Sequence, residues 1–177
     1  MPAPRQPEQY LLLPVNPWFI GFTLIASLML NLLPLPRGGW AMAVPDWVAL
    51  TLVFWSIHQP RRVGLTVAWL IGLITDVNDA SLLGEHALAY SILSYSAITM
   101  HRRVLWFGQS GQVLHVLPLL LSAQIVVLLV RLAAGGTFPG LAYFSSSLVA
   151  TLLWPLITFI YLAPQRAPVE KDENRPI

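Results

Sequence analysis

The sequence predicts an all-α integral membrane protein, a polytopic bundle of about six transmembrane helices. Three observations lead to this prediction: 56% of the 177 residues are hydrophobic, only 10% are charged, and the hydrophobic residues form long blocks with the charges between them. Soluble domains carry about 25% charged residues. A water-soluble fold of this size could not bury so much apolar surface, so we expect one membrane domain in contact with the lipid bilayer.

Six apolar blocks are the candidates for the spanning helices. Such a helix needs about 20 predominantly apolar residues, with about 17 as the lower limit. Pro, Gly, Arg or acidic clusters separate the blocks and mark their ends. The predicted helices are 18–35, 41–57, 63–83, 86–100, 113–134 and 141–163, which together form a transmembrane domain over 17–163 between polar tails at 1–16 and 164–177.

Lys and Arg predict the orientation, because short positively charged loops remain on the cytoplasmic side. Six crossings with both termini in the cytoplasm leave only Arg37 and Arg131 toward the other side. An alternative in which block 41–57 does not cross and the N-terminus lies outside exchanges Arg5 for Arg37 and fits equally well. We predict six crossings because block 41–57 is just long enough to span.

The basic residues indicate topology rather than nucleic-acid binding. The pI is about 9.3, but the basic residues stand alone or in Arg pairs spread along the chain, without the clustered patch of a nucleic-acid surface. The absence of cysteine excludes disulfides and thiolate chemistry. No two histidines have the spacing of metal ligands on a helix. We therefore expect no nucleic-acid partner, no metal and no cofactor.

The Trp side chains near predicted helix ends are typical of anchors at the headgroup level, where an amphipathic indole is favoured. They are Trp18, Trp40, Trp47, Trp106 and Trp154. Asn31 and Gln124 lie inside apolar blocks, where polar side chains commonly form hydrogen bonds between helices. Such bonding is the interpretation we adopt for both.

The membrane pattern is interrupted in the stretch 72–90, which holds three of the eight acidic residues and no Lys or Arg. On a helix that begins at Val63, Asp76 would lie about 20 Å from the cytoplasmic end, inside a hydrocarbon core about 30 Å thick. A carboxylate at that depth needs a partner, water or a proton. Asp79 would share its helix face.

A second interpretation places the end of this helix near Thr75. The stretch up to Glu85 would then be an outer loop, in which Asp76 or Asp79 caps local amides in water. Arg131, near the outer end of block 113–134, is likewise open to two interpretations. It snorkels to the headgroups, or it pairs with Asp46, Asp76 or Asp79.

The pattern Gly72…Asp76…Gly84…Ala87-Leu88…Tyr90 resembles the bacterial rod shape-determining protein MreD family. The chain length, the six apolar blocks and Pro45-Asp46 at the start of the second helix are also similar, and the resemblance covers roughly 18–161. It implies a multi-pass protein of the bacterial inner membrane that belongs to the elongasome, the machinery of lateral peptidoglycan synthesis. MreC, MreB and the cell-wall elongation enzymes are the partners it implies.

The resemblance further implies a non-enzymatic scaffold with a fold like that of the substrate-binding subunits of energy-coupling-factor transporters. We expect an outer-face contact surface for MreC, and the candidate residues for this surface or for polar intramembrane contacts are Pro45, Asp46, Gly72, Asp76, Asp79, Gly84, Tyr90 and Arg131.

Two other functions remain as alternatives. The first is a small-molecule-binding subunit of a vitamin-type transporter, with an outward cavity lined by Asn31, Asp46, Asp76, Asp79 or Arg131. The second is a membrane enzyme, which the sequence favours least because paired carboxylates need a substrate position to act. The oligomeric state is left open.

Overall fold

The structure, a computed structural model, describes residues 16–33 and 43–165. Within these ranges the chain folds into six α-helices, and no β-strand occurs there. The helices are α1 (Pro17–Asn31), α2 (Trp47–His58), α3 (Leu65–Asn78), α4 (Glu85–Trp106), α5 (Gln109–Ala133) and α6 (Ser145–Leu162). Short 3₁₀ turns at Leu141–Phe144 and Ala163–Gln165 flank α6. Most of both predicted tails, and Trp40, lie outside the described residues.

Several helix ends differ from the predicted bounds because polar groups and loops set them. The second helix begins at Trp47 and not at 41, since the Asp46 side chain caps it by accepting a hydrogen bond from Ala49 N at 3.0 Å. The third helix ends at Asn78, five residues before the predicted end. The fourth continues through the predicted Arg-pair boundary to Trp106. Basic residues suit the last turn of a helix, so they did not mark its end.

Two helical units are long and apolar enough to cross a membrane in the described part of the chain. They are α5 and the unit Leu141–Gln165, which contains α6 and its flanking turns. α1, α2 and α3 are apolar but have only 12 to 15 residues. Helices of that length span about 18 to 23 Å, less than a hydrocarbon core of about 30 Å.

α2 forms the centre of the bundle, in contact with α1, α4, α5 and α6. Every residue from 48 to 57 is buried, so protein and not lipid surrounds the helix. A helix enclosed in this way needs no full membrane length. Its polar side chains bond to neighbouring helices at 2.9 to 3.0 Å, in the pairs Thr51–Tyr161, Trp55–Thr23 and Ser56–Ser94.

The outer surface of the bundle is apolar. Phe22 on α1 is 68% exposed, Trp69 on α3 is 48% exposed and Leu152 on α6 is 76% exposed. Soluble monomers rarely expose large contiguous apolar patches. Lipid chains are the natural environment of such a surface, which agrees with the two long apolar units.

The tryptophans at helix ends do not all behave as interfacial anchors. Trp18 and Trp106 are strongly exposed, as an anchor should be. Trp154 is fully buried, and its indole Nε1 donates to Gln112 Oε1 at 3.1 Å. The anchor interpretation is therefore wrong for Trp154, whose position in sequence did not reveal that it faces α5.

α3 and α4 form a helical hairpin whose backbones approach closely at Gly72. A Cβ atom built on Gly72 would lie 2.4 Å from Ala87 Cα and 2.5 Å from Ala87 N. Backbone atoms cannot move aside as a flexible side chain can. Glycine at position 72 is thus required for the hairpin to close.

We predict that Gly72→Ala lowers the free energy of unfolding by about 1 to 3 kcal/mol, as overpacking does. Gly21→Ala is the matched control, because no atom lies within 4 Å of a Cβ built at that helical glycine. Alanine there should be neutral or stabilising by up to about 1 kcal/mol. Equilibrium unfolding in detergent micelles measures both, and equal stability of the two variants would contradict the close approach.

Candidate functional site

The polar residues singled out in the sequence meet at one end of the bundle, where α1, α3 and α5 end and α2, α4 and α6 begin. We call this the carboxylate end, since it contains Asp46, Asp76, Asp79 and Glu85. Hydrogen bonds and an ion pair between these helices join them there. The connections at this end therefore place four of the eight acidic side chains on one face.

Asp76 is a buried carboxylate that caps the start of α4. Its Oδ1 accepts from His86 N at 2.8 Å, His86 Nδ1 at 2.8 Å and Ser81 Oγ at 3.1 Å. Its Oδ2 accepts from Gly84 N at 2.8 Å and Ala87 N at 3.4 Å. The residue is 1% exposed. A single side chain thus satisfies amides that a helix start otherwise leaves without partners.

Both interpretations of Asp76 from sequence are partly right. The residue lies in the last turn of α3 and is buried, but its carboxylate caps amides of the next helix. Gly84 supplies the turn between them with φ of +100°, a left-handed conformation that glycine adopts without steric penalty. We predicted that Asp79 shares the helix face of Asp76, but Asp79 is the exposed C-cap of α3 whereas Asp76 is buried.

Asp46 connects three helices. Its Oδ1 accepts from Asn31 Nδ2 at 3.1 Å and from Ala49 N at 3.0 Å, and its Oδ2 accepts from the Tyr90 hydroxyl at 2.8 Å. Asn31 completes the link, because its Oδ1 accepts from Trp47 N at 3.1 Å. The end of α1 and the starts of α2 and α4 are thereby held at one point. Asn31 has the interhelical role that we predicted.

Glu85 and Arg131 form an ion pair between the start of α4 and the end of α5. Arg131 Nε lies 2.5 Å from Glu85 Oε1, and the Glu85 side chain is 1% exposed while that of Arg131 is 43% exposed. Of the two interpretations of Arg131, the pairing with Asp46, Asp76 or Asp79 is therefore wrong. Asp46 and Asp76 already accept hydrogen bonds from other groups, and Glu85 is the buried carboxylate that Arg131 neutralises.

Gln124 joins α5 to the start of α6. Its Nε2 donates to the Tyr143 carbonyl at 2.9 Å, and its Oε1 accepts from Ser147 Oγ at 2.5 Å. This bonding confirms the interhelical role predicted for the residue. All helices that meet at the carboxylate end are therefore linked by side-chain polar contacts to a neighbour.

A cavity of about 370 Å³ lies between these links. Asn31, Asp46, Asp79, His86, Tyr90 and Arg131 are among its lining residues. Ligand pockets in proteins usually measure about 300 to 1,000 Å³. Asp76 does not line the cavity, although the small-molecule alternative included it among the candidate lining residues. Its oxygens point instead into the start of α4.

Glu85 is the site residue that sequence reasoning missed, and His86 was considered only for the enzyme alternative. Glu85 is the first residue of α4, and Asp76 accepts a hydrogen bond from the His86 ring nitrogen Nδ1. An acidic residue in the first helical turn is a recognisable signal, but its partner on α5 is set by three-dimensional packing. Across the described ranges, no three His, Asp or Glu side chains are grouped so as to hold a metal ion.

The fold and this site define an all-helical membrane protein whose buried carboxylates hold helix ends together. The chain belongs to the rod shape-determining protein MreD family, which its residues 14–165 match. The Rod shape-determining protein MreD of Haemophilus influenzae is 30% identical over 146 residues, which cover 79% of this chain and 86% of that protein. No solved structure matches the chain. Family membership supports a structural role in determining rod shape.

We predict that Asp76→Asn lowers the free energy of unfolding by about 2 to 4 kcal/mol, because buried donors lose a charged acceptor. The amide keeps the shape but turns one accepting oxygen into a donor. Asp79→Asn is the control, an exposed aspartate of the same helix end, and should change stability by less than about 0.5 kcal/mol. Chemical denaturation in micelles compares the variants. Equal stability would show that the Asp76 bonds do not hold the hairpin.

Proposed function

We propose that the protein is a non-enzymatic inner-membrane component of the cell-elongation machinery, which helps maintain rod shape and organises lateral peptidoglycan synthesis by binding MreC. The observation that carries the proposal is that the buried carboxylates form bonds between helices. Each of these carboxylates bonds to a helix other than its own. Asp46 and Asp76 bond to groups on α4, and Glu85 bonds to Arg131 on α5. Such bonds brace the surface at this end of the bundle.

The contact surface for MreC is the turn between α3 and α4, which the Asp76 bonds fix. Leu83 in this turn is 75% exposed, with Leu82 beside it, and Val77 in the last turn of α3 is 69% exposed. Exposed apolar residues on a rigid polar frame suit protein contact. Most of the predicted site residues then act indirectly. Gly72, Asp76 and Gly84 shape the turn. Asp46 and Tyr90 hold the neighbouring helices, and Pro45 is buried beside Asp46. MreB and the elongation enzymes join directly or through MreC.

The proposed topology has six crossings, with both termini in the cytoplasm and the carboxylate end outside. The proposed fold is like that of the substrate-binding subunits of energy-coupling-factor transporters. The Arg61–Arg62 pair follows the opposite end of α2, and the Arg102–Arg103 pair lies in the last turns of α4. Both pairs suit a cytoplasmic position.

Reporter fusions test this topology, with alkaline phosphatase active only outside and green fluorescent protein fluorescent inside. Fusions after Gly39 and Ala80 should report an external position, and a fusion after Gly108 a cytoplasmic one. With the Arg61–Arg62 pair in the cytoplasm, Gly39 can lie outside only if block 41–57 crosses the membrane. A cytoplasmic signal after Gly39 would contradict six crossings, whatever the other two fusions report.

We predict that Leu83→Ser lowers recovery of MreC with the protein by at least about fivefold, as loss of an interface anchor does. Trp106→Ala is the control, because Trp106 is 90% exposed at the opposite end of the bundle. Copurification from membranes at matched expression measures both variants. Undiminished recovery with Leu83→Ser, or an equal loss with Trp106→Ala, would argue against this surface.

The second candidate function is the small-molecule-binding subunit of a vitamin-type transporter. The polar cavity of about 370 Å³ favours it, because its size suits a small ligand. A water-soluble compound retained through purification in native mass spectrometry would support this function. Its absence, together with no stabilisation by a vitamin panel, would count against it.

A further inference from the structure

The polar cavity at the carboxylate end adjoins an apolar groove on α1. The groove is lined by Phe22, Ile25, Ala26 and Met29, and it shares Leu30 and Leu33 with the cavity. A polar chamber and a hydrocarbon groove therefore meet at one rim. A molecule that fills both must be amphipathic, which a water-soluble vitamin is not.

The length of the groove matches one leaflet of a bilayer. From Phe22 to the end of α1 at Asn31 the helix rises about 14 Å, and Leu33 lies just beyond this end. Half of a hydrocarbon core of about 30 Å is about 15 Å. An acyl chain lying on α1 would thus reach from the headgroup level toward the bilayer midplane.

The charges of the cavity indicate a headgroup with both signs. Within the described ranges the Asp79 carboxylate accepts no hydrogen bond, and the residue is exposed. Asp46, by contrast, already accepts from Asn31 and Tyr90. Asp79 is accordingly the acidic group placed to bind a cation.

Arg131 supplies the positive side of the cavity. Its Nε is bound to Glu85, but the side chain is 43% exposed and lines the cavity. A guanidinium carries five N–H donors in a planar fork that suits phosphate. An ammonium group on Asp79 and a phosphate on Arg131 would satisfy both residues together.

We propose that the cavity and the α1 groove form one binding site for a zwitterionic phospholipid with a primary ammonium headgroup, of the phosphatidylethanolamine type. The phosphate binds Arg131, the ammonium binds Asp79, and one acyl chain lies along Phe22, Ile25, Ala26 and Met29. The α1 groove lies apart from the proposed MreC surface, since no residue of the α3–α4 turn lines it, whereas Asp79 of that turn lines the cavity.

Native mass spectrometry of the delipidated full-length protein tests the proposal, with phosphatidylethanolamine and phosphatidylglycerol of identical acyl chains as probes. The protein should bind phosphatidylethanolamine with at least about tenfold higher affinity than phosphatidylglycerol. Asp79→Asn should reduce this preference to less than about threefold. Equal retention of both lipids by the unchanged protein would overturn the headgroup assignment.

A second pair of variants tests the groove. Ala26→Trp should fill it and weaken phosphatidylethanolamine binding by about tenfold, whereas Leu152→Trp, on the lipid-exposed face of α6, should leave binding unchanged. Circular dichroism and melting curves check that both variants fold. Equal phosphatidylethanolamine binding by the two Trp variants would contradict the proposal that the acyl chain lies in the α1 groove.

Soluble glycerophosphoethanolamine separates a lipid from a free headgroup. It should bind far more weakly than the intact lipid, because it has no chain for the α1 groove. Binding as tight as that of the lipid would overturn the proposal and favour the small-molecule function. MreC recovery with Ala26→Trp should remain normal, so failure of the lipid site and failure of the proposed function are distinguishable.

Discussion

The arrangement of the carboxylate end depends on a buried carboxylate, that of Asp76. A charge removed from water is strongly unfavourable unless hydrogen bonds satisfy it. Asp76 meets that condition through five donors, three of them amides at the start of α4. The same contacts fix the angle of the α3–α4 hairpin, which Gly72 allows to close. One residue therefore links the local geometry of a turn to the packing of two helices.

Asp46 and Glu85 apply the same physical principle elsewhere at this end. Asp46 caps α2 and receives bonds from α1 and α4, while Glu85 begins α4 and pairs with the last turn of α5. In a membrane such bonds matter because hydrocarbon offers polar groups no alternative partner. The cavity is the space that remains between these braces. Its polar lining is thus a consequence of how the helices are joined, and it is available to a ligand.

The helical class and the region of the site could be predicted from sequence, since both depend on local patterns. Apolar blocks located the helices, and the break around Asp76 located the carboxylate end. The partner of Arg131 could not be predicted, because Glu85 reaches it only after α4 and α5 have packed. The burial of Trp154 was missed for the same reason. We predicted the start of α2 too early in the chain, because apolar residues also occur before the Asp46 cap.

Amide hydrogen exchange at the start of α4 tests the central claim most directly. If the Asp76 carboxylate holds this helix start, the amides of Gly84, His86 and Ala87 should be protected in the unchanged protein and should exchange much faster in Asp76→Asn. Amides in the middle of α5 should exchange equally in both, because their bonds are independent of Asp76. Unchanged protection of the three amides in Asp76→Asn would contradict the account.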